Sequence, residues 1–340
     1  MENIPLIGVT GIFICSVLAI LFAGWRLATT ADKIADATGL GEAITGALLL
    51  GATTSLPGLL TSAVTASNGF ASLAFSNAVG GIAAQTMFLA IADISYRTVN
   101  LEHAAASASN MMQAALLIAL LTLPLLAMGT PSLSVFQIHP ISFVIPCVYI
   151  GGLRMISRAQ ETATWVPEET PETIADEPQE DQSSLSMQRL VTVFLLMAAI
   201  VAAAGWVVAE AGMTIVERTG LSESVVGGVF TAVATSVPEL VTTLAAVRIG
   251  ALTLAVGNIL GGNSFDTLFL AVADIAYREG SLYQALGQQQ LFLLSVSLLM
   301  SAVLILGLLG RQKKGIANIG FESLLLLLLY GGLVLQLFRS

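Results

Sequence analysis

Two acidic residues, Glu239 and Asp266, stand inside apolar runs that are each long enough to cross a bilayer. A charged side chain at membrane depth costs roughly several kcal/mol, so by default it marks the path of an ion or a substrate. Pro238 and the glycine pair 261–262 lie beside these acids and weaken a helix, which frees backbone carbonyls to face a cavity. Because proline removes a helical donor, we expect a bend at residues 234–236. Two broken helices with one carboxylate each predict a cation site.

The neighbours of the two acids offer oxygen ligands only. Thr235 lies four residues before Glu239, and Asn258 lies eight residues before Asp266, so each pair shares one helix face. Hard cations such as Ca²⁺ bind about six to eight oxygens, mixing carboxylates with neutral groups. The two histidines stand at the edges of apolar runs, and neither cysteine has a metal-ligand spacing. A soft-metal site is therefore disfavoured.

Composition indicates that the whole chain lies in a membrane. Its 340 residues have a mean hydropathy of +0.87 and are 10% charged, against about a quarter in soluble domains. Apolar runs of about 20 residues are candidate transmembrane helices. Ten occur, at about 4–27, 42–67, 70–95, 104–128, 141–156, 190–211, 224–247, 251–276, 290–309 and 321–338. We therefore predict an all-α membrane protein with ten transmembrane helices.

The two halves of the chain repeat one another at a single offset that needs no gaps. The offset aligns Thr54-Ser55-Leu56-Pro57 with Thr235-Ser236-Val237-Pro238, Asn77 with Asn258, and the glycine pair 80–81 with 261–262. Five helices per half is an odd number, so the second half must enter the membrane with the opposite orientation. Such inverted repeats are typical of secondary transporters. We predict a first five-helix repeat at 1–158, a linker at 159–188 and a second repeat at 189–340.

The predicted linker carries eight acidic residues, three prolines and no Lys or Arg. This composition is typical of a solvated, disordered connector, which is the interpretation we favour. The alternative is an electrostatic funnel or a regulatory cation sensor at one mouth of the pathway. The linker contains no calcium-binding loop of the helix-loop-helix type, which weakens the sensor hypothesis.

The distribution of basic residues predicts the orientation in the membrane. With the N-terminus outside, three of the 13 basic residues fall outside and the other ten fall in cytoplasmic loops, which is a clear positive-inside bias. The linker is then cytoplasmic and both termini are outside. The start of the chain has no basic region typical of a cleaved signal peptide. A compact chain of this kind suits the inner membrane of a bacterial or archaeal cell.

The motifs that contain the two acids resemble the α-repeat signature of the sodium/calcium exchanger (Ca²⁺:cation antiporter) family. They read TSVPELVTTLAA at 235–246 and GNILGGNSFDTL at 257–268, and GATTSLPGLLTSAVTA at 51–66 with SNAVGGIAAQT at 76–86 is similar to the partner repeat. The resemblance covers the whole chain. It implies a Ca²⁺ site, shared with counter-transported Na⁺ or H⁺, midway across the membrane. Beyond these ions and the lipid bilayer we expect no cofactor and no nucleic acid, and one chain suffices for transport, with the oligomeric state open.

Carried over by position, the resemblance implies ion ligands in both repeats. In the second repeat they are Thr235, Ser236, Glu239 and Asp266, with the carbonyl of Ala232. In the first repeat they are Thr54, Ser55 and Gln85, with the carbonyl of Gly51. Three asparagines belong to the helix-break motif and are expected to orient the site: Asn77, Asn258 and Asn263.

Departures from the family pattern lower the charge of the implied site. Gly58 stands where the first repeat of the family has an acidic residue after Leu-Pro, and Gln85 is neutral. Gly81 and Gly262 lack a hydroxyl that would help to bind a small monovalent ion. Two carboxylates are neutralised by one divalent or two monovalent cations, so we expect exchange close to electroneutral.

Three functions remain open on these grounds. The first is antiport of Ca²⁺ against Na⁺ or H⁺ by alternating access. The second is transport of another cation, such as Mg²⁺, Mn²⁺ or a monovalent ion, on the same scaffold. The third is a non-transporting scaffold subunit, which the intact acidic pair disfavours. An enzyme is not expected, since no nucleophile and base and no metal-binding histidine cluster occur.

Two further acids have a simpler interpretation. Asp93 and Asp274 lie near the ends of their apolar runs, four residues before Arg97 and Arg278. We expect these aspartates to pair locally with the arginines rather than to bind transported ions. Tyr149 is expected to anchor its helix at the membrane interface.

Overall fold

The structure is a computed structural model that describes residues 1, 3–38, 51–96, 98–130, 134–161, 186–313, 315 and 319–339. Its first half contains α1 (Leu6–Thr38), α2 (Gly51–Thr54), α3 (Leu56–Ser67), α4 (Ala71–Ser95), α5 (Leu101–Ala104), α6 (Ala108–Gly129) and α7 (Ile141–Glu161). Its second half contains α8 (Met187–Thr219), α9 (Glu223–Thr235, with a π-helical turn at Val226–Thr231), α10 (Val237–Ile249), α11 (Leu252–Ala276), a 3₁₀ turn (Leu282–Gln284), α12 (Gln288–Gly310) and α13 (Phe321–Arg339).

Eight of the described helices are long and apolar enough to cross a membrane: α1, α4, α6, α7, α8, α11, α12 and α13. Helices α9 and α10 pass the same test together as a pair bent by 44°, so the described residues contain up to nine candidate spans. The helix predicted at 42–67 corresponds to α2 and α3, and residues 39–50 lie outside the described part of the chain. An all-helical, multi-pass architecture is thus confirmed, and the count of ten stays a prediction.

Helix boundaries in the two halves follow the same offset as the sequence motifs. The offset that aligns Thr54 with Thr235 also aligns both ends of α1 with those of α8, and both ends of α4 with those of α11. The equivalent helices also pack against one another, α1 on α8 and α4 on α11. Helices α4 and α11 are buried along most of their length, whereas α1 and α8 expose apolar side chains such as Phe22 and Trp206. The centre of the fold is therefore built from α4 and α11.

The predicted bend at the proline of the second half is present. Helix α9 ends at Thr235, α10 begins at Val237, and Ser236 lies between them. The first half has the same interruption, since α2 ends at Thr54 and α3 begins at Leu56. In both halves the proline occupies the first turn of the following helix, where its missing N–H removes no helical hydrogen bond.

The expected break at the glycine pairs is wrong, because α4 and α11 run without interruption through 80–81 and 261–262. The glycines permit close packing instead. A Cβ atom on Gly80 would lie 2.5 Å from the carbonyl oxygen of Gly228 in the π-helical turn of α9. Two backbones can approach this closely only without a side chain between them.

The interpretation of Asp274 as a partner of Arg278 is also corrected, whereas the pairing of Asp93 with Arg97 stays a prediction. Asp93 accepts hydrogen bonds from the amides of Leu101 (2.7 Å) and Gly320 (3.0 Å). Asp274 accepts them from Leu282 (2.7 Å) and His139 (2.7 Å), whereas Arg278 is exposed. Arg97 lies outside the described residues. Each buried carboxylate thus satisfies amides of two returning chain segments, which would otherwise be desolvated without a partner.

Replacing Asp274 by Ala is expected to lower the free energy of unfolding by about 3 kcal/mol or more. The carboxylate also accepts a hydrogen bond of 2.6 Å from Ser142, so three buried donors lose their acceptor, at about 1–3 kcal/mol each. Thermal unfolding of the purified protein measures the loss. Glu279→Ala, which removes an exposed acid nearby, is the matched control. An unchanged melting temperature for the Asp274 variant would contradict the assignment.

Candidate cation site

Four elements meet at the two predicted acids. The interruptions at Ser55 and Ser236 bring hydroxyl groups towards the middle of α4 and α11. Glu239 lies in the first turn of α10, Gln85 lies on α4, and Asp266 lies on α11. All five side chains are buried. The sequence-predicted acids therefore face the interior of the helix assembly rather than lipid.

Ser55 connects the two carboxylates. Its hydroxyl donates to Glu239 Oε1 over 3.3 Å and also contacts Asp266. The Thr54 side chain also contacts the Glu239 carboxylate. Gln85 Nε2 donates to Asp266 Oδ2 (2.7 Å) and to the Ser236 hydroxyl (3.2 Å). Hydroxyls and one amide thus position both acids, and residues from both halves contribute to one group.

Three oxygens of this group have no hydrogen-bond partner among the residues that the structure describes: Glu239 Oε2, Asp266 Oδ1 and Gln85 Oε1. A buried acceptor without a donor costs free energy, and native proteins usually satisfy such atoms. An oxygen-rich group that mixes carboxylates with an amide suits a hard cation. In the described ranges no three His, Cys, Asp or Glu side chains come together in a metal-binding arrangement, so the group has the charge of two carboxylates.

The other residues implied as ligands lie beside this group, and some of their polar atoms already take part in hydrogen bonds within helices. The Thr235 hydroxyl donates to the carbonyl of Thr231 (2.9 Å). The carbonyl of Ala232 accepts from the Ser236 amide (3.1 Å), so it already takes part in the end of α9. Gly51 begins α2, one turn before Ser55.

The three asparagines connect helices around the group. Asn77 on α4 donates to the Gly58 carbonyl (3.1 Å) and to Ser62 (2.9 Å), and accepts from Thr231 (2.7 Å). The other two each donate to a threonine over 2.9 Å, Asn258 to Thr242 on α10 and Asn263 to Thr86 on α4. Their contacts suit residues that hold α3, α4, α9, α10 and α11 in register around the carboxylates.

Phe269 is a neighbour of the group that sequence analysis missed. A Cβ atom on Gly58 would lie 2.8 Å from Phe269 Cε2, so the aromatic ring occupies the space beside the position of the absent acid. Phe269 packs edge-to-face on Phe265, and Phe265 packs on Tyr149 in the same way. Phe269 follows Asp266 by three residues and therefore shares its helix face, which is the signal that could have revealed it.

Tyr149 does not lie at an interface, contrary to expectation. Its side chain is buried between α7 and α11, and within the described ranges its hydroxyl has no hydrogen-bond partner. The Asp266 carboxylate is close enough to act on it electrostatically. An apolar run alone predicts which helix carries a tyrosine but not which side of that helix faces the core.

Comparison with known protein families assigns the chain to one of them. Residues 8–150 and 189–339 match the family described as "Sodium/calcium exchanger protein". The chain belongs to this family. The two matched segments cover most of both halves and leave out the whole of the predicted linker. The resemblance drawn from the motifs is confirmed.

A curated relative of this exchanger-family chain is the sodium/calcium exchanger MaX1 of Methanosarcina acetivorans. The two are 29% identical over 142 residues, which is 42% of this chain and 40% of the relative. The aligned region thus spans less than half of that protein.

Three solved structures share the fold over nearly the whole chain. YfkE has a TM-score of 0.67 at 14% identity and covers 100% of this chain and 94% of its own. The H⁺/Ca²⁺ exchanger CAX has a TM-score of 0.67 at 14% identity, over 97% and 90% of the two chains. The sodium-calcium exchanger NCX_Mj has a TM-score of 0.61 at 19% identity, over 98% and 100%. The family is one of ion transporters, in agreement with the expectation that the chain is not an enzyme.

Proposed function

We propose that the chain is a secondary-active antiporter that exchanges Ca²⁺ against Na⁺ or H⁺ by alternating access. The observation that carries this proposal is the buried group around Glu239, Asp266 and Gln85, in which each side chain has one oxygen without a partner among the described residues. A cation would satisfy all three oxygens. The family membership and the names of the relatives, a sodium/calcium exchanger and an H⁺/Ca²⁺ exchanger among them, support the same function.

The transported ion binds, in this proposal, through the residues implied by the motifs. Glu239 and Asp266 supply the charge, and Gln85 supplies a neutral oxygen. Ser55 holds the two acids next to one another and Ser236 holds Gln85, each through the hydrogen bonds described above. The hydroxyls of Thr54 and Thr235 and the carbonyls of Gly51 and Ala232 complete the coordination when the ion enters.

We propose the following architecture for this transporter. Ten transmembrane helices form two inverted five-helix repeats at 1–158 and 189–340, joined by the acidic linker at 159–188. The common offset of helix boundaries supports the repeat. The linker is cytoplasmic, both termini lie outside the inner membrane, and a single chain without a cofactor carries out transport.

A second candidate function is transport of a different cation, such as Mg²⁺, Mn²⁺ or a monovalent ion. The observation that favours it concerns the position of a third acidic ligand. Gly58 carries no charge there, and the ring of Phe269 fills the space that an acidic side chain would need. A scaffold subunit without transport is disfavoured, because such a protein has no need to bury two acids with free oxygens.

Flux of ⁴⁵Ca²⁺ into proteoliposomes tests the proposed function. Uptake driven by an imposed Na⁺ or pH gradient is expected, and the gradient that drives it identifies the coupling ion. Competition by excess Mg²⁺ or Mn²⁺ in the same assay distinguishes the second candidate. If neither gradient drives uptake of any of these cations, the antiporter proposal is wrong.

The net charge of the site predicts the response to membrane potential. Two carboxylates are neutralised by one Ca²⁺ or by two monovalent ions, and charge left over in a buried site is strongly penalised. At fixed ion gradients, we expect Ca²⁺ uptake to be nearly independent of a potential imposed with K⁺ and valinomycin. Uptake that follows the potential would show that the exchange carries net charge.

A further inference from the structure

A second group of buried acids lies away from the candidate cation site, where α4 ends and α13 begins. Glu102 on the short helix α5 is fully buried, and Glu322 in the first turn of α13 is 5% exposed. The two carboxyl groups contact one another, and Ser323 donates to Glu102 Oε1 over 3.2 Å. Neither acid has a role in the proposed transport site.

Both acids have a free oxygen. Glu102 Oε2 and Glu322 Oε1 have no hydrogen-bond partner in the part of the chain that the structure describes. Glu322 cannot turn outward easily, because it is packed between α12 and the connection before α13. Cβ atoms on Gly307 and Gly320 would lie 2.7 Å and 2.9 Å from its side chain. Two confined oxygens thus face described residues that supply them with no donor.

Further negative charge comes from α4. Asp93 acts electrostatically on both glutamates, and its own oxygens already accept the amides of Leu101 and Gly320. Burial and the carboxylates of Asp93 and Glu322 raise the pKa of Glu102 well above its usual range. Burial beside other carboxylates thus disfavours the ionised form of Glu102.

The segment that follows α12 approaches this cluster through its backbone. His103, on the same short helix, has its Nδ1 atom 2.8 Å from the carbonyl oxygen of Arg311. The amide of Asn100 donates to the Lys313 carbonyl over 3.2 Å, so the segment after α12 presents backbone carbonyls to α5. Two acidic groups act electrostatically on Glu102: Asp93 on α4 and Glu322 on α13.

The other half of the fold makes the same contacts without a second or third acid. At the offset that relates the two halves, Tyr283 is the counterpart of Glu102, and Ser142 is the counterpart of Ser323. The Ser142 hydroxyl donates to Asp274 and lies 3.2 Å from the hydroxyl of Tyr283. A neutral phenol at the equivalent position is thus compatible with the same fold. The fold itself therefore does not require the pair of glutamates.

We propose that Glu102 and Glu322 form a proton-binding site, separate from the cation site, in which the two carboxyl groups share one proton. Binding neutralises one carboxylate, and release leaves two negative charges beside Asp93. The repulsion then acts on the start of α13 and on α5, both of which are fastened to Asp93 through backbone amides. Protonation therefore stabilises the attachment of α13 to α4.

The site predicts a pH-dependent stability. The folded chain keeps the proton at pH values where the unfolded chain, with an ordinary glutamate pKa of about 4.3, has lost it. The stability that this site contributes is thus fully present below the ordinary pKa and is lost as the pH rises to the raised one. Both the melting temperature and the infrared absorption of protonated carboxyl groups report on this proton.

The test uses the full-length chain with Glu239→Gln and Asp266→Asn, so that the cation site contributes no titration and transport is not needed. In this background we expect a protonated-carboxyl band at neutral pH and a melting temperature that falls as the pH rises. Glu102→Gln should remove the band and flatten the pH dependence, whereas Glu217→Gln, at an exposed acid, should change neither. Glu322→Gln provides the same test should the Glu102 variant not fold.

The absence of a protonated-carboxyl band in the background protein, or a band and a pH dependence that persist in both glutamine variants, would overturn the proton site. Either result leaves the antiporter proposal untouched, because that proposal depends on flux by the wild-type chain.

Discussion

Replacing Glu239 by Gln is expected to weaken Ca²⁺ binding by about a thousandfold and to abolish Ca²⁺ exchange. Glutamine keeps the size of the side chain and can still contact Ser55 and Thr54, so the fold is expected to survive. The loss is electrostatic. Two unit charges about 4 Å apart, at an effective dielectric constant of about 20, attract by about 4 kcal/mol, which corresponds to about a thousandfold in affinity. The second charge of Ca²⁺ increases the attraction, and the lower cost of desolvating glutamine offsets that increase.

Calorimetric titration of the purified protein with Ca²⁺ measures this affinity, and ⁴⁵Ca²⁺ flux measures exchange. The matched control is Glu217→Gln, the same chemical change at an exposed residue of α8, which should bind and transport as the wild type does. A folded Glu239 variant with wild-type affinity would remove Glu239 from the ligands.

Introducing Glu at position 58 is expected to make exchange respond to membrane potential, provided that space is made for it. A Cβ atom at this position would lie 2.8 Å from Phe269 Cε2, so Gly58→Glu alone forces the ring aside. Combined with Phe269→Ala, the new carboxylate can enter the vacated space beside Thr235. A third negative charge then requires one more positive charge for neutral occupancy.

The size of this effect follows from the charge moved. One elementary charge carried across 100 mV corresponds to about 2.3 kcal/mol. Since about 1.4 kcal/mol is a tenfold factor, this energy changes the steady-state Ca²⁺ gradient by about fortyfold. The control is Gly58→Gln with Phe269→Ala, which adds the same volume without charge and should leave exchange insensitive to potential. If the glutamate variant transports but is equally insensitive, position 58 does not face the ion.

The motifs were sufficient to predict the family, the two acids and the interruptions of the helices. Pro238 and its counterpart Pro57 act locally, so their effect on a helix can be inferred from neighbouring residues alone. The glycine pairs were misinterpreted because a glycine in a sequence is compatible either with a weakened helix or with a close contact between two backbones. Only the position of Gly228, which belongs to the other half of the chain from Gly80, decides between these two meanings.

The remaining differences have the same physical origin. The partners of Asp274 are amides at 139 and 282, on segments that return to the aspartate through the fold, whereas Arg278 is merely near in sequence. The contact between Glu102 and Glu322 likewise joins residues from different halves of the chain. Helical periodicity predicts which residues share a face but not which helix covers that face.

The most direct test of the central claim is an experimental structure of the protein with Ca²⁺ bound. We predict density for one ion within about 2.3–2.6 Å of Glu239 Oε2, Asp266 Oδ1 and Gln85 Oε1, the usual range for Ca²⁺–oxygen distances. An ion bound elsewhere in the chain, with these three oxygens left without a ligand at saturating Ca²⁺, would contradict the account.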